Sequence, residues 1–204
     1  MFFRQIQQHG DNFSYLIADP ETKEAAVIDS SYNAAEIIKI IKAQNLSLRY
    51  IINTHGHSDH TAGNIELRSI FSAKIVAHKQ SKTDSDITVE DGEVFSVGKI
   101  SIRVLYTPGH TPDSLCLLVD KEKLFTGDTL FVGECGRTDL PGGNAKNLYN
   151  SLFNVLLKLD DAIEVYPGHD YGSRPSSTIG YERKTNYVLQ PRSLKDFIEF
   201  MSQP

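Results

Sequence analysis

The sequence lacks the features that mark secreted, membrane-spanning and nucleic-acid-binding proteins. None of its apolar runs approaches the ~20 residues that a membrane-spanning helix needs, and its first residues show no basic segment followed by an apolar one, so we expect no signal peptide. The only two cysteines, Cys116 and Cys135, are too few for a disulfide framework. This scarcity favours a reducing compartment, and we expect the cytoplasm.

Excess positive charge is also missing. The chain has 21 Lys and Arg residues against 26 Asp and Glu residues, a net charge of -5 that disfavours nucleic acid as a partner. Its 204 residues fit a single domain spanning 1–204. We expect a small-molecule substrate, no membrane partner, and a monomer or homodimer.

The sequence pattern predicts two groups of short strands, each followed by helices. The first thirty residues alternate in runs broken by turns, which predicts a β-meander. A helix with Ala35, Ile37, Ile38 and Ile41 at helical spacing follows, and then the strand SLRYIINT. Two hairpins, an amphipathic helix at NAKNLYNSLFNVLLKL, the strand IEVYPGHD and a helical tail complete the chain. This order predicts an α/β (α+β) fold, a four-layer αββα sandwich of two mainly antiparallel sheets with helices outside.

The densest cluster of ionisable residues directly follows a predicted strand. His55, His57, Asp59 and His60 fall within six residues, where the alternative is a surface loop that is polar by chance. Zinc and iron prefer neutral imidazole nitrogen with carboxylate oxygen as a harder companion ligand. The cluster therefore predicts a metal site.

Three further strands end alike, in a glycine-containing turn and one metal-ligand residue: YTPGH at His110, FTGD at Asp128 and YPGH at His169. Each alone would be read as structural, but together they complete a two-metal site. We expect His55, His57 and His110 at one metal, Asp59, His60 and His169 at the other, and Asp128 bridging. Zinc is the expected metal, with iron or manganese as alternatives.

The motifs THGHSDH, TPGHT, FTGDTLF and YPGHD resemble, in order and spacing, the metallo-β-lactamase fold superfamily. The resemblance runs from about residue 12 onward and implies a metal site in a cleft where the two sheets meet. The segments GDTLFVGECGRTDLPGG and STIGYERKTN are most similar to glyoxalase II-like thioester hydrolases and to persulfide dioxygenases. The short stretch after His169 leads us to expect that the long C-terminal helical extension of true glyoxalase II is absent or reduced.

The function that we expect is hydrolysis of small-thiol thioesters, as by a hydroxyacylglutathione hydrolase. A hydroxide shared by two metals would attack the carbonyl carbon, with Asp59 and Asp128 as the catalytic residues. The thiolate of a thiol with a pKa of about 8.5 leaves without a strong acid, whereas a β-lactam nitrogen needs a proton. The alternative is a persulfide dioxygenase with a single Fe(II) held by His55, His110 and Asp128. A nuclease is disfavoured by the net charge, and a binding module by the complete ligand set.

Several residues outside the metal set are candidates for the entrance of the site. Arg137 could bind a substrate carboxylate, or it could pair with Asp139 and brace its loop. Three further candidates for substrate binding are Tyr171, Arg183 and Lys184. Cys135 is interpreted as structural, with a reactive thiol as the alternative, and Cys116 as core packing.

Overall fold

The protein, described over residues 1–203 in a computed structural model, contains two six-stranded sheets. The first has its strands in chain order: β1 (Phe2–Gln7), β2 (Phe13–Ala18), β3 (Glu24–Ile28), β4 (Ser47–Ile52), β5 (Lys74–His78) and β6 (Ile87–Val89). The second has the order β12-β11-β10-β9-β8-β7. Its strands are β7 (Val94–Val97), β8 (Ile100–Tyr106), β9 (Leu115–Val119), β10 (Lys123–Gly127), β11 (Glu164–Pro167) and β12 (Ser177–Thr178).

The α-helices lie between strands or follow the last strand. They are α1 (Ala34–Ala43), α2 (Ser58–Thr61), α3 (Asn64–Phe71), α4 (Ala145–Tyr149), α5 (Ile179–Thr185) and α6 (Leu194–Met201). The amphipathic helix predicted around 144–159 begins as α4 but then changes its hydrogen-bond spacing. It continues as a π-helical segment, Asn150–Val155, and ends in a 3-10 turn, Leu156–Lys158.

Three apolar layers show the predicted four-layer sandwich. The central layer joins the inner faces of the two sheets, with Tyr15 and Phe125 in ring contact at 4.8 Å between centroids. A second layer lies between the first sheet and α1 and α3, and a third between the second sheet and α4 to α6. Cys116 is fully buried in the third layer, as predicted, and both thiols are free. No helix within residues 1–203 combines the length and apolar character that crossing a membrane requires.

The strand directions differ in part from the sequence prediction. The second sheet is mainly antiparallel, but β3–β4, β4–β5 and β5–β6 in the first sheet are parallel. Helices join β3 to β4 and β4 to β5, and a strand–helix–strand connection on one face of a sheet returns the chain in the same direction. The short strand β6 was not predicted.

Helix α1 also buries a slightly different face from the predicted one. Ala34, Ile37 and Ile41 are buried, whereas Ala35 is exposed and Ile38 is partly buried. Asn33 caps the helix by accepting a hydrogen bond from the amide of Ala35, which starts the helix one residue earlier than the apolar pattern suggests.

The topology brings several strand ends to one edge of the sandwich. β3 and β4 run parallel, as do β10 and β11, and β8 shares the direction of β10 because both are antiparallel to β9. At this edge the two sheets are joined by backbone hydrogen bonds from Phe13 N to Gly168 O and from Leu115 N to Thr54 O, of 2.8 and 2.9 Å. The loops that follow these strands therefore meet.

We predict that Ile37→Ala lowers the free energy of unfolding by about 2–5 kcal/mol, because it leaves a cavity between α1 and the first sheet. Metal content should stay unchanged, since Ile37 lies in an outer layer. Urea denaturation with parallel metal analysis tests this, and a loss of stability within the measurement error would show that the layer is not tightly packed.

Candidate metal centre

The structure brings together all seven residues that were predicted to bind metal. The loop after β4 carries His55 and His57, and it leads into α2 with Asp59 and His60. His110, Asp128 and His169 follow β8, β10 and β11. Their ligand atoms form three overlapping groups, each with all atoms within 4.8 Å of one another: His55, His57, His110; His55, His60, Asp128; and Asp59, His60, His169.

Two of these groups are the predicted halves of the site. In the first triad, His57 Nδ1 lies 3.0 Å from both His55 Nε2 and His110 Nε2. In the second triad, His60 Nε2 and His169 Nε2 are 3.2 Å apart, and Asp59 Oδ2 is 3.4 Å from each.

Asp128 lies between the two triads. Its Oδ2 is 3.5 Å from His110 Nε2 and 3.3 Å from His169 Nε2, and its Oδ1 is 3.3 Å from His60 Nε2. Oδ1 is buried and has no hydrogen-bond partner within the described residues. A buried carboxylate oxygen without a partner is costly unless a cation binds it.

The outward-facing nitrogen of four histidine rings donates to a fixed acceptor. His60 Nδ1 is 3.0 Å from Asp29 Oδ2, His169 Nδ1 is 2.9 Å from Asp11 Oδ1, and His110 Nδ1 is 2.9 Å from the carbonyl oxygen of Arg137. His55 Nδ1 is 3.2 Å from the hydroxyl of Thr54, whose own proton goes to Asp29. This pattern of outer acceptors is typical of metal-binding histidines.

These contacts determine whether the ring nitrogens that face the cluster can donate or accept hydrogen bonds. When Nδ1 of a neutral imidazole carries the proton, Nε2 presents only a lone pair. His60 Nε2 and His169 Nε2 would then face each other as lone pairs across 3.2 Å, and His57 Nδ1 could donate to only one of its two neighbours. Positive charge is needed among them, and the donor set fits a divalent metal.

The pKa values separate the two triads. Burial lowers the pKa of His55 well below its usual value, with nearby His60 adding to the effect, and burial lowers that of His57 as well. In the second triad, burial works in the same direction, but Asp128 and Asp29 outweigh it and raise the pKa of His60, while Asp128 and Asp59 raise that of His169 to about 10. His55 and His57 therefore favour the neutral ring, whereas His60 and His169 attract positive charge.

Both acidic residues of the cluster favour the ionised form. Burial alone would raise the pKa of Asp128, but His60 and His169 hold it below its usual range. Burial likewise opposes ionisation of Asp59, and hydrogen bonds from His169 and His60 outweigh it. The cluster thus combines imidazole nitrogens with two ionised carboxylates, and both are suitable ligands for zinc or iron.

Sequence reasoning missed the residues that orient the ligands. Asp29, at the end of β3, is buried and accepts hydrogen bonds from the amide and the hydroxyl of Thr54 as well as from His60. Asp11 holds His169, and Asn12 donates to Asp59 Oδ2 at 3.1 Å. The only feature of the sequence that could have identified these residues is their position in the turns after β1 and β3, because they belong to no motif.

A glycine makes the close packing around Asp128 feasible. A Cβ at Gly168 would overlap Asp128 Oδ1 and lie 2.9 Å from His60 Cε1. The glycine of the YPGH motif therefore leaves room for the ligand atoms themselves.

A cavity of about 310 Å³ opens beside the cluster. It is lined by His110, Asp128, Phe131, Glu134, Cys135, Arg137 and Tyr171. Depressions of about 540 and 660 Å³ around Arg68 and Arg103 lie away from the seven residues, whereas the cavity of about 310 Å³ reaches His110 and Asp128.

Two predicted entrance residues do line this cavity. Tyr171 stacks on His169 with their rings nearly parallel at 4.9 Å, and burial raises its pKa to about 12. Arg137 is exposed and forms a two-pronged ion pair with Asp139, at 2.6 and 2.5 Å, which is the bracing role considered as its alternative. Cys135 is structural in character, because burial raises its pKa to about 12 and keeps the thiol protonated.

The structure places Arg183 and Lys184 elsewhere, so their assignment to the entrance is wrong. Arg183 contacts Asp161 and the carbonyl oxygens of Leu157 and Leu159, at the opposite end of β11 from His169. Lys184 is exposed on the same helix and does not line the cavity. The sequence pattern after His169 predicted the helix α5. It did not indicate which end of the second sheet the basic residues of this helix face.

Comparison with known proteins links this centre to one family. Residues 9–169 match the model of the metallo-beta-lactamase superfamily. The chain is 36% identical to the human mitochondrial persulfide dioxygenase ETHE1 over 195 residues, which are 93% of this chain and 75% of that protein. It is 37% identical to the probable hydroxyacylglutathione hydrolase glo2 of Schizosaccharomyces pombe, over 83% of this chain and 69% of that protein. The crystal structure of ETHE1 from Myxococcus xanthus is similar over 100% of this chain and 92% of that one, with a TM-score of 0.94 and 35% identity.

We predict that Asp128→Ala loses more metal than Asp59→Ala, because only Asp128 contacts both triads. The Asp59 variant keeps the three histidines of the first triad and should retain about one equivalent. Metal analysis after anaerobic purification measures both, and two equivalents in Asp128→Ala would contradict the bridging position.

Proposed function

Because the chain belongs to the metallo-beta-lactamase superfamily, we propose that it is a metal-dependent hydrolase of small-thiol thioesters, similar to hydroxyacylglutathione hydrolases. The observation that carries the proposal is the position of Asp128 between two triads that are each equipped with oriented histidines. The outer acceptors on His60 and His169, in addition to those on His55 and His110, support a second ion beside the first.

The proposed ligands fall into two sets, one for each ion, which correspond to the two triads. His55, His57 and His110 would hold one ion, Asp59, His60 and His169 the other, and Asp128 both. Bound divalent ions, with zinc the first choice, would supply an acidified water with a pKa of about 7 and would polarise a carbonyl oxygen.

Asp59 is the proposed orienting residue. It is partly exposed, Asn12 fixes its Oδ2, and its lowered pKa makes it a weak base. Its role is therefore to hold the attacking water by accepting a hydrogen bond, and proton removal rests on the acidity of the water itself.

The surroundings of the cavity favour a thiolate as leaving group. Tyr171 and Cys135 have pKa values raised to about 12, so neither is an effective proton donor at neutral pH. A thiolate with an ordinary pKa of ~8.5 departs without protonation, whereas an amine does not. A thioester therefore suits this cavity better than an amide.

A second candidate function is persulfide dioxygenation. It is favoured by the similarity to the human and Myxococcus xanthus ETHE1 proteins. In this case His55, His110 and Asp128 would hold one ferrous ion as two imidazoles and a carboxylate. The same chain residues serve both candidates, so the reaction has to be measured.

We predict that the anaerobically purified protein hydrolyses S-D-lactoylglutathione and that Asp59→Asn loses most turnover while it keeps its fold. The amide keeps one acceptor oxygen but loses the negative charge and the second acceptor oxygen of the carboxylate, so it holds a cation and the attacking water less strongly. Thiol release measures hydrolysis, and oxygen uptake with glutathione persulfide measures the alternative. Oxygen-dependent sulfite production without thioester hydrolysis would reject the first candidate in favour of the second.

We further predict that Arg137 distinguishes substrates by charge. A substrate carboxylate would compete with Asp139 for the guanidinium, so Arg137→Ala should lower kcat/KM about tenfold for a carboxylate-bearing thioester and leave an uncharged one unaffected. Asp139→Asn, the matched variant, should improve KM for the charged substrate by freeing Arg137. An equal loss on both substrates with a lowered melting temperature would assign Arg137 a bracing role.

A further inference from the structure

Two fully buried polar residues, one on α5 and one just after it, form hydrogen bonds with the loop that forms one wall of the cavity. Glu182 and Asn186 are four residues apart, and both have 0% exposure. We call residues 130–137, between β10 and α4, the wall loop. Leu130 and Cys135 form a bridge across it.

The contacts are directed at the loop backbone. Glu182 Oε2 accepts hydrogen bonds from Gly133 N, at 2.8 Å, and from Asn186 Nδ2, at 2.9 Å. Asn186 Nδ2 lies 3.1 Å from the carbonyl oxygen of Glu134 and 3.4 Å from that of Phe131. Three backbone groups within four consecutive residues are thus held by two side chains.

Packing alone does not account for this pair. The other carboxyl oxygen of Glu182, Oε1, is buried with no partner among the described residues, which is a cost that an apolar side chain of similar size would avoid. An apolar side chain could fill the same space, but it could not bind the amide of Gly133. The directed contacts are what the polar residues add.

The wall loop carries several contacts of the candidate site. The ring of Phe131 meets the ring of Tyr171 edge-on at 4.9 Å and that of His169 at 5.9 Å. Glu134 and Cys135 line the cavity, and the carbonyl oxygen of Arg137 accepts from His110 Nδ1. The position of the loop therefore sets the shape of the cavity.

We propose that Glu182 and Asn186 are positioning residues that hold the wall loop in the shape that accepts substrate. This rests on the proposed function, in which the cavity beside the metal centre receives the substrate. Loss of the contacts releases Phe131 and Glu134 and raises KM. The outer acceptors of His55, His60 and His169 lie outside the wall loop, and that of His110 lies at its far end, so kcat and metal content change little.

Two nearly isosteric variants separate positioning from packing. In Glu182→Gln, the amide oxygen takes the place of Oε2 and accepts both hydrogen bonds, while the amino group takes the place of the unpartnered Oε1. In Asn186→Asp, the oxygen that accepts from Val188 N is kept, but every hydrogen bond donated by Nδ2 is lost. Glu182→Ala removes the acceptor of the hydrogen bond from the amide of Gly133. Ile37→Ala, in a distant layer, controls for destabilisation alone.

The test combines backbone hydrogen exchange over residues 131–137 with steady-state kinetics and metal analysis. We expect Asn186→Asp and Glu182→Ala to exchange faster in this loop and to raise KM about tenfold, with kcat within about twofold of the unmodified protein. Glu182→Gln should behave like the unmodified protein, and Ile37→Ala should change only the melting temperature.

Unchanged loop exchange and KM in Asn186→Asp would overturn the proposal, as would a matching KM increase in Ile37→Ala. If Glu182→Ala does not fold, the comparison of Asn186→Asp with Glu182→Gln decides the question. If the unmodified protein hydrolyses no thioester, the proposed function fails by itself, and hydrogen exchange still shows whether the two residues hold the loop.

Discussion

The structure depends on the need for positive charge among five imidazole rings and two carboxylates. With their outer nitrogens donating to Thr54, Asp29, Asp11 and the Arg137 carbonyl, four rings turn their remaining nitrogens toward Asp128. Such a cluster is unfavourable without a cation, because lone pairs and a buried carboxylate oxygen would face one another. The parallel strand pairs, the glycine at 168 and the cross-sheet hydrogen bonds all serve to hold these groups at one edge.

The grouping of the seven residues at one edge could be predicted from the sequence because they follow short apolar strands and tight turns. His110, Asp128 and His169 share this local pattern, and their order along the chain matches the motif order of a known fold, which indicates that they belong to one site. Asp29 and Asp11 could not be found in this way, since they act on His60 and His169 from 31 and 158 positions away. A single carboxylate in a turn has no local signature for such a long-range contact.

The same limit explains the other differences. The four layers follow from the alternation of strands and helices, but the parallel pairing of β3, β4 and β5 depends on how α1 to α3 cross the sheet. The charge of the basic residues in the tail favours a position at the entrance of the site. Arg183 instead binds carbonyl oxygens at the far end of β11, while its neighbour Glu182 turns inward to the wall loop. On a helix, adjacent residues face different surroundings.

The central claim is that the protein holds two ions with Asp128 between them, which anomalous X-ray diffraction from crystals of anaerobically purified protein tests most directly. Data collected at the zinc and iron absorption edges should show two maxima, one against His55, His57 and His110 and one against Asp59, His60 and His169, both in contact with Asp128. A single iron maximum on His55, His110 and Asp128, with nothing bound to the second triad, would contradict the account.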